Sequence, residues 1–208
     1  MTHKTTPYAA YAFEALAAHL AGRKCVGFGT FQKLLPGSAT VPGNSHPLFV
    51  TWNTVLKNGD TSLRGCIGTF EPLDLETGIK QYSLTAALED PRFKPIRQSE
   101  LEKLECGVTV LYDFEPVTDP LDWEVGTHGV KAVFKHRSRR CTATFLPDVA
   151  VEQEWDKETT LIHLAQKAGI EDCFSYDDIK DSIQLTRYKG DKSKISYPEY
   201  KDLIDKAL

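Results

Sequence analysis

The chain has 208 residues, 41% apolar and 26% charged, with a net charge of −4. That length suits one large domain or one domain with a small partner, and the composition is that of a globular chain rather than a disordered one. The acidic balance argues against a general nucleic-acid binder, and no apolar run approaches the roughly 18 residues of a membrane span.

The first residues, MTHKTTPY, lack the apolar core of a signal peptide, which points to an intracellular, soluble protein of the cytoplasm or nucleus. Residues 6–21 read as a helix. Thr6 can cap it, Pro7 suits its first position, and Phe13, Leu16, Ala17 and Leu20 form one apolar stripe. VGFGTF (26–31) has two glycines but no helix-opening context. LLPGSATVPGNSHP (34–47) holds three prolines and two glycines, which excludes regular structure; a loop this long is either functional or mobile. LFVTWNTVLK (48–57) alternates as a strand, Asn58-Gly59 is a hairpin turn signal, and LRGCIGTF (63–70) runs back. DLETGIKQYSLTAALE (74–89) reads as a helix capped by Asp74, with Leu75, Ile79, Tyr82 and Ala86 along its stripe. DPRFKP (90–95) ends it, because proline cannot continue a helix.

CGVTVLYDFEPV (106–117) reads as a strand with Val108, Val110, Tyr112 and Phe114 on one face. GVKAVFK (129–135) and CTATFL (141–146) are two strands joined by a basic tip, HRSRR. Then come a short helix at 146–155 and a longer one at 157–170, with Leu161, Ile162, Leu164, Ala165 and Ala168 on one side and Gly169 as its stop. A late strand (182–190) and a terminal helix (198–208) with Tyr200, Leu203 and Ile204 apolar complete the pattern. Clustered strands with evident hairpins predict an α+β fold, an antiparallel or mixed sheet flanked by helices.

Five cysteines, at 25, 66, 106, 141 and 173, are odd in number and form no CxxC. They read as free thiols, mostly buried. Cys66 is the one with a chemical setting. If side chains alternate, Arg64, Cys66, Gly68 and Phe70 share one strand face, with Leu63, Gly65, Ile67 and Thr69 on the other. Arg64 and Cys66 would then be neighbours about 7 Å apart at the backbone. A guanidinium there favours a thiolate, and Gly65 and Gly68 let a ligand or another backbone approach. The functional reading makes Arg64 an anion binder and Cys66 a nucleophile or redox-sensitive thiol. The structural alternative packs a helix on the glycines and buries the thiol.

His128, in DWEVGTHG, is a candidate general base; its alternative is a turn residue bonding its own backbone. Arg92 and Phe93, on a turn between two prolines, could hold a planar or anionic ligand; the alternative plugs Phe93 into the core. No HxxxH, HExxH, GxSxG, GxxxxGK[ST] or GxGxxG occurs, so no metal is indicated and no cofactor is named.

LRGCIGTF, DPRF, LDWEVGTHGV, TATFLPDVAVEQEWD with KAG after it, and LTRY, in this order, resemble the AMMECR family. The resemblance covers roughly residues 8–200, and its hallmark hexapeptide is intact as Leu63, Arg64, Gly65, Cys66, Ile67 and Gly68. It implies a single domain over 1–208 with a family-like core at 6–205, built as two unequal α/β subdomains with a cleft between them. It implies no particular reaction, only a part in a basic process such as transcription, replication, repair or translation. Prokaryotic relatives occur with a Memo-like protein and a radical-SAM protein; this chain has no CxxxCxxC, so it is not itself the latter. The 34–47 loop looks longer here than in prokaryotic relatives. Three functions follow as expectations. One is an enzyme using Cys66, His128 and Arg64, with Gly65, Gly68, Arg92 and Phe93 around a small anionic or planar substrate. Another is a binding module for a small molecule or protein on the same strand. The third, a nucleic-acid factor, is disfavoured by charge.

Overall fold

The computed structural model describes residues 5–36, 41–136, 138–171 and 175–207. Residues 37–40 of the Pro/Gly loop, Arg137 of the basic tip and Cys173 lie outside them. Helix α1 (Pro7–Leu20) begins where the sequence asks: the Thr6 hydroxyl accepts the Tyr8 N–H and Pro7 sits in the first turn. Its apolar stripe understates its burial, since residues 7–18 are buried all round, Glu14 included. Helix α2 (Phe28–Leu34) is the element the sequence reading missed. Its glycines and uncapped start give no local signal. Phe28 and Phe31 hold it by packing on Tyr8 and Tyr11.

Strand β1 (Ser45–Val55) starts inside the expected loop. A register shift between His46 and Leu48 takes Pro47, which has no N–H to donate, out of the ladder. The turn to β2 (Thr61–Asp74) puts Gly59 at φ 86°, and the Leu56 N–H closes it on the Asp60 carbonyl. Helix α3 (Leu75–Leu88) follows, with the Asp74 carboxylate accepting the Thr77 N–H. Strand β3 (Leu104–Val117) keeps its alternation only to Val110. Leu111 is buried beside Val110, Tyr112 and Phe114 come toward the surface, and Asp113 adopts a φ of 52°.

Strands β4 (His128–His136) and β5 (Arg139–Phe145) form a hairpin. Helices α4 (Pro147–Glu152) and α5 (Lys157–Lys167) come next; the Asp156 carboxylate caps α5, and Gly169, at φ 90°, follows its end. Strand β6 (Ile183–Ser196) outruns its expected end by six residues, and α6 (Tyr197–Ala207) closes the chain. The fold is α+β: a six-stranded antiparallel sheet, in the order β2-β1-β3-β6-β4-β5, flanked by helices. No described helix is long and apolar enough to cross a membrane.

The described residues up to Val110 and from Asp191 onward form one compact unit, and residues 111–190 form a second. In the first, Leu48, Val50 and Trp52 of β1 are fully buried. Phe13 packs edge-on to Trp52 and flat on Tyr200, and the Trp52 Nε1–H donates to the Ser83 carbonyl of α3 at 3.0 Å. In the second, Val130, Ala132 and Phe134 of β4 meet Leu185 of β6 and Leu161, Leu164 and Ala165 of α5. Among the described thiols only Cys106 is fully buried; Cys25, Cys66 and Cys141 are half-buried, so the expectation of mostly buried cysteines holds for one. The two sheet faces explain this, because Cys106 points into the core with Trp52, its Cα partner on β1.

Candidate functional site

Strand β2 is an edge of the sheet, and its pairing with β1 decides what the LRGCIG hexapeptide presents. The Cα partners are Thr51↔Cys66, Trp52↔Gly65 and Asn53↔Leu63, so Arg64 is an extra residue, a β-bulge. Simple alternation fails there. Leu63 shares the face of Cys66 and Gly68, not that of Gly65 and Ile67. Arg64 turns to Glu100 instead of the thiol, its Nε donating to Oε1 at 2.9 Å and its Nη2 to Oε2 at 3.3 Å. Burial pushes the Glu100 carboxyl up, but the Arg64 hydrogen bonds and the Arg97 N–H pull it below its ordinary range.

The guanidinium that reaches Cys66 is that of Arg92. The Cys66 N–H donates to Asp90 Oδ2 at 2.9 Å, and the Cys66 carbonyl accepts Arg92 Nη2 at 3.0 Å. Two side chains of the DPRF turn thus satisfy both outward groups of one edge residue, as a neighbouring strand would. A residue whose backbone groups point outward belongs to the non-hydrogen-bonded type of pair, in which side chains lie closest. Accordingly, Cys66 Sγ and Thr51 Oγ1 are 3.2 Å apart.

Asp90 is the centre of this arrangement. Its side chain is 2% exposed and accepts Arg92 Nη2 at 2.7 Å, Arg92 Nε at 3.0 Å and the Arg92 N–H at 3.1 Å. The Arg92 hydrogen bonds, helped by the Cys66 N–H, hold its carboxyl far below the usual carboxylate range despite burial. The Arg92 side chain is 54% exposed and lies 5.4 Å from the Phe93 ring centroid. Its Nη1 makes no hydrogen bond among the described residues. The turn therefore offers a fixed cation beside a half-buried ring and a half-buried thiol.

Asp90→Asn is expected to cost about 2 kcal/mol at neutral pH, because the buried oxygens accept charged and backbone donors. The folded-state carboxyl is lowered, so its contribution is complete above the unfolded value near ~4 and fades as pH falls below it. The gap between wild-type and variant urea midpoints should thus narrow from pH 7 to pH 3; a constant gap would show that the charge contributes nothing.

The two glycines are occupied by the protein itself. A Cβ on Gly65 would collide with the Ala86 carbonyl of α3, and one on Gly68 would collide with the Phe49 ring and the Leu48 carbonyl. Phe49 in turn meets Phe70 edge-on at 5.3 Å.

His128 lies in the second unit, residues 111–190, where its ring is engaged locally. Its Nδ1 accepts the Glu124 N–H at 3.0 Å, and its own N–H donates to the Glu124 carbonyl at 2.9 Å. That leaves the neutral ring's proton on Nε2. Burial, reinforced by Arg187, lowers its pKa.

The structure therefore brings Arg92 to Cys66 with Phe93 beside the guanidinium, gives Arg64 to Glu100, and adds two residues the sequence reading passed over, Asp90 and Thr51. Asp90 had a signal: an aspartate directly before Pro, two before Arg, makes an Asx turn that can hold the arginine. Thr51 had none, since its partner is set by register. No described group of three or more His, Cys, Asp or Glu is placed to hold a metal.

The AMMECR1 family model matches residues 9–193. An uncharacterized protein of Schizosaccharomyces pombe is 44% identical over 194 residues, covering 93% of each chain. An uncharacterized protein of Arabidopsis thaliana is 39% identical, covering 92% of this chain and 85% of the other. The crystal structure of the uncharacterized protein PH0010 from Pyrococcus horikoshii superposes with a TM-score of 0.66 at 25% identity, covering 92% of this chain and 91% of that one.

Proposed function

The chain belongs to the AMMECR1 family, and from that premise we propose that its LRGCIG strand and DPRF turn form one ligand site. The ligand is small and anionic or planar. Arg92 meets its charge, Phe93 its flat face, and the Cys66 thiol is the group placed to react with it. The observation behind this is the double hold on Cys66: Asp90 takes its N–H and Arg92 its carbonyl. A buried carboxylate spent on orienting one exposed arginine and one edge residue is costly unless both are needed in place. Arg64 then serves through Glu100, fixing the bulge that leads into Cys66.

The test is alkylation of the native protein by iodoacetamide at neutral pH, read by peptide mass spectrometry. Cys66 is expected to react about tenfold faster than Cys25, with Cys106 slowest. Inorganic phosphate or benzoate should slow Cys66 alone, and that protection should vanish in Arg92→Ala. Equal rates at Cys66 and Cys25 would end the thiol's part; protection that survives Arg92→Ala would end the arginine's.

A protein-binding module is the second reading. It draws on Val55, Leu56 and Leu63, which stand exposed together at the end of the β1–β2 hairpin. A partner bound there is lost in Leu63→Asp and kept in Cys66→Ser, the reverse of the first reading. Family resemblance points to a Memo-like partner. The thiols at Cys25, Cys66, Cys106 and Cys141, free among the described residues, suit a reducing compartment, the cytoplasm or the nucleus.

A further inference from the structure

We infer that a hollow beside α1 binds a small organic cation: an ammonium or guanidinium group on a stem about as long as one lysine or arginine side chain. The hollow holds about 250 Å³ and is lined by Tyr8, Phe28, Gln32, Asn44, Asp74 and Glu76, among others. It is separate from the Cys66 site and does not rest on that reading.

Tyr8 is the telling residue. It is 3% exposed and lines the hollow, yet its hydroxyl has no hydrogen-bond partner among the described residues. The oxygen is not sealed in the core, since among the described residues the sealed side-chain atom without a partner is Trp123 Nε1, so a donor entering the hollow can reach it. Its ring stacks on Phe28, centroids 5.9 Å apart and 17° from parallel, which makes an aromatic wall. Asp74 and Glu76 stand on the rim at the start of α3. Each spends an oxygen on a backbone N–H, of Thr77 and Phe28 respectively, and neither has a described salt-bridge partner. No lysine or arginine among the described residues lines the space.

Asp74 and Glu76 supply the negative charge on this rim. A cation with an apolar stem answers every feature. It can donate to the Tyr8 oxygen, lie against the aromatic wall and face two carboxylates. The volume is below the ~300 Å³ typical of drug-sized pockets, which limits the occupant to one side chain's bulk. Val41, Gly43 and Asn44 form one wall of the hollow, and the Asn44 carbonyl pins it to α3 by accepting the Leu75 N–H at 2.8 Å.

The test is an NMR titration of the full chain with n-butylammonium and N-methylguanidinium, using butyrate as the charge control. Saturable shifts are expected at the Tyr8, Phe28 and Glu76 amides with millimolar dissociation constants. Glu76→Gln should weaken binding about fivefold and Tyr8→Phe about threefold. The exposed Glu76 variant keeps the test sound if Tyr8→Phe disturbs the core. Tighter binding of Nα-acetyl-lysine amide than of n-butylammonium would assign the site to a basic side chain of a peptide; the reverse order would assign it to a free amine. Butyrate shifting the same amides equally, or no saturable shift with either cation, overturns the proposal.

Discussion

Gly65→Ala is expected to lower stability by about 3 kcal/mol, read as a shift in urea midpoint at unchanged slope. The added methyl lands on the Ala86 carbonyl of α3. That oxygen is backbone and cannot rotate away, so the whole helix must retreat. Retreat pulls on the bond from the Trp52 indole to the Ser83 carbonyl on the same helix. It also opens space over the fully buried Trp52 and Ile79. Overfilling a packed core usually costs about 1–3 kcal/mol, and a rigid obstacle puts this site at the upper end. A midpoint equal to wild type would mean that α3 has slack the packing does not show. The glycine of the hexapeptide thus has a structural duty whatever ligand the strand binds.

Glu14→Ala should cost more, about 3–5 kcal/mol, with a melting temperature lower by roughly 10 °C for a chain of this size. The Glu14 side chain is fully buried. It accepts both terminal nitrogens of Arg23 at 2.7 and 2.6 Å, the Tyr200 hydroxyl at 2.6 Å and the Val26 N–H at 2.7 Å. Burial drives its carboxyl upward, but the hydrogen bonds from Arg23, Tyr200 and Val26 outweigh that and leave it lowered. One carboxylate therefore joins α1, the segment after it and the C-terminal α6. Its loss strands a cation, a hydroxyl and an amide with no partner. Arg23→Ala should cost less than Glu14→Ala, since the Arg23 side chain is 36% exposed and water takes over part of its role. Equal losses would show that the ion pair, and not the buried acceptor, carries the energy.

The site was partly legible in advance. LRGCIG and DPRF each drew attention by local chemistry: a thiol between glycines, and an arginine-aromatic pair between prolines. Pairing Arg64 with Cys66 rested on strict alternation, and a single bulged residue undid it. Hairpin register depends on the sum of both strands' contacts, so one inserted residue leaves no mark in either strand alone. Asp90 went unremarked because an aspartate before proline is ordinary turn chemistry until a distant N–H is found on it. Helix α2 was missed for a related reason: its stability comes from aromatic rings on another helix, not from its own glycine-bearing sequence.

Period, caps and breakers in the chain itself determined most of the elements. Thr6 and Asp74 start helices, Asn58-Gly59 turns a hairpin, Gly169 follows a helix end, and alternation marks strand β1. These are short-range effects, settled by backbone sterics and hydrogen bonds within a few residues. Tertiary structure alone decided which guanidinium meets Cys66, what fills the space over Gly65 and Gly68, and that the Tyr8 ring stacks on Phe28 beside a hollow. Each of those depends on groups at least 19 positions apart in the chain, brought together only when apolar faces are buried. Burial is non-directional and proportional to area, so it leaves no local pattern from which a particular meeting could be read.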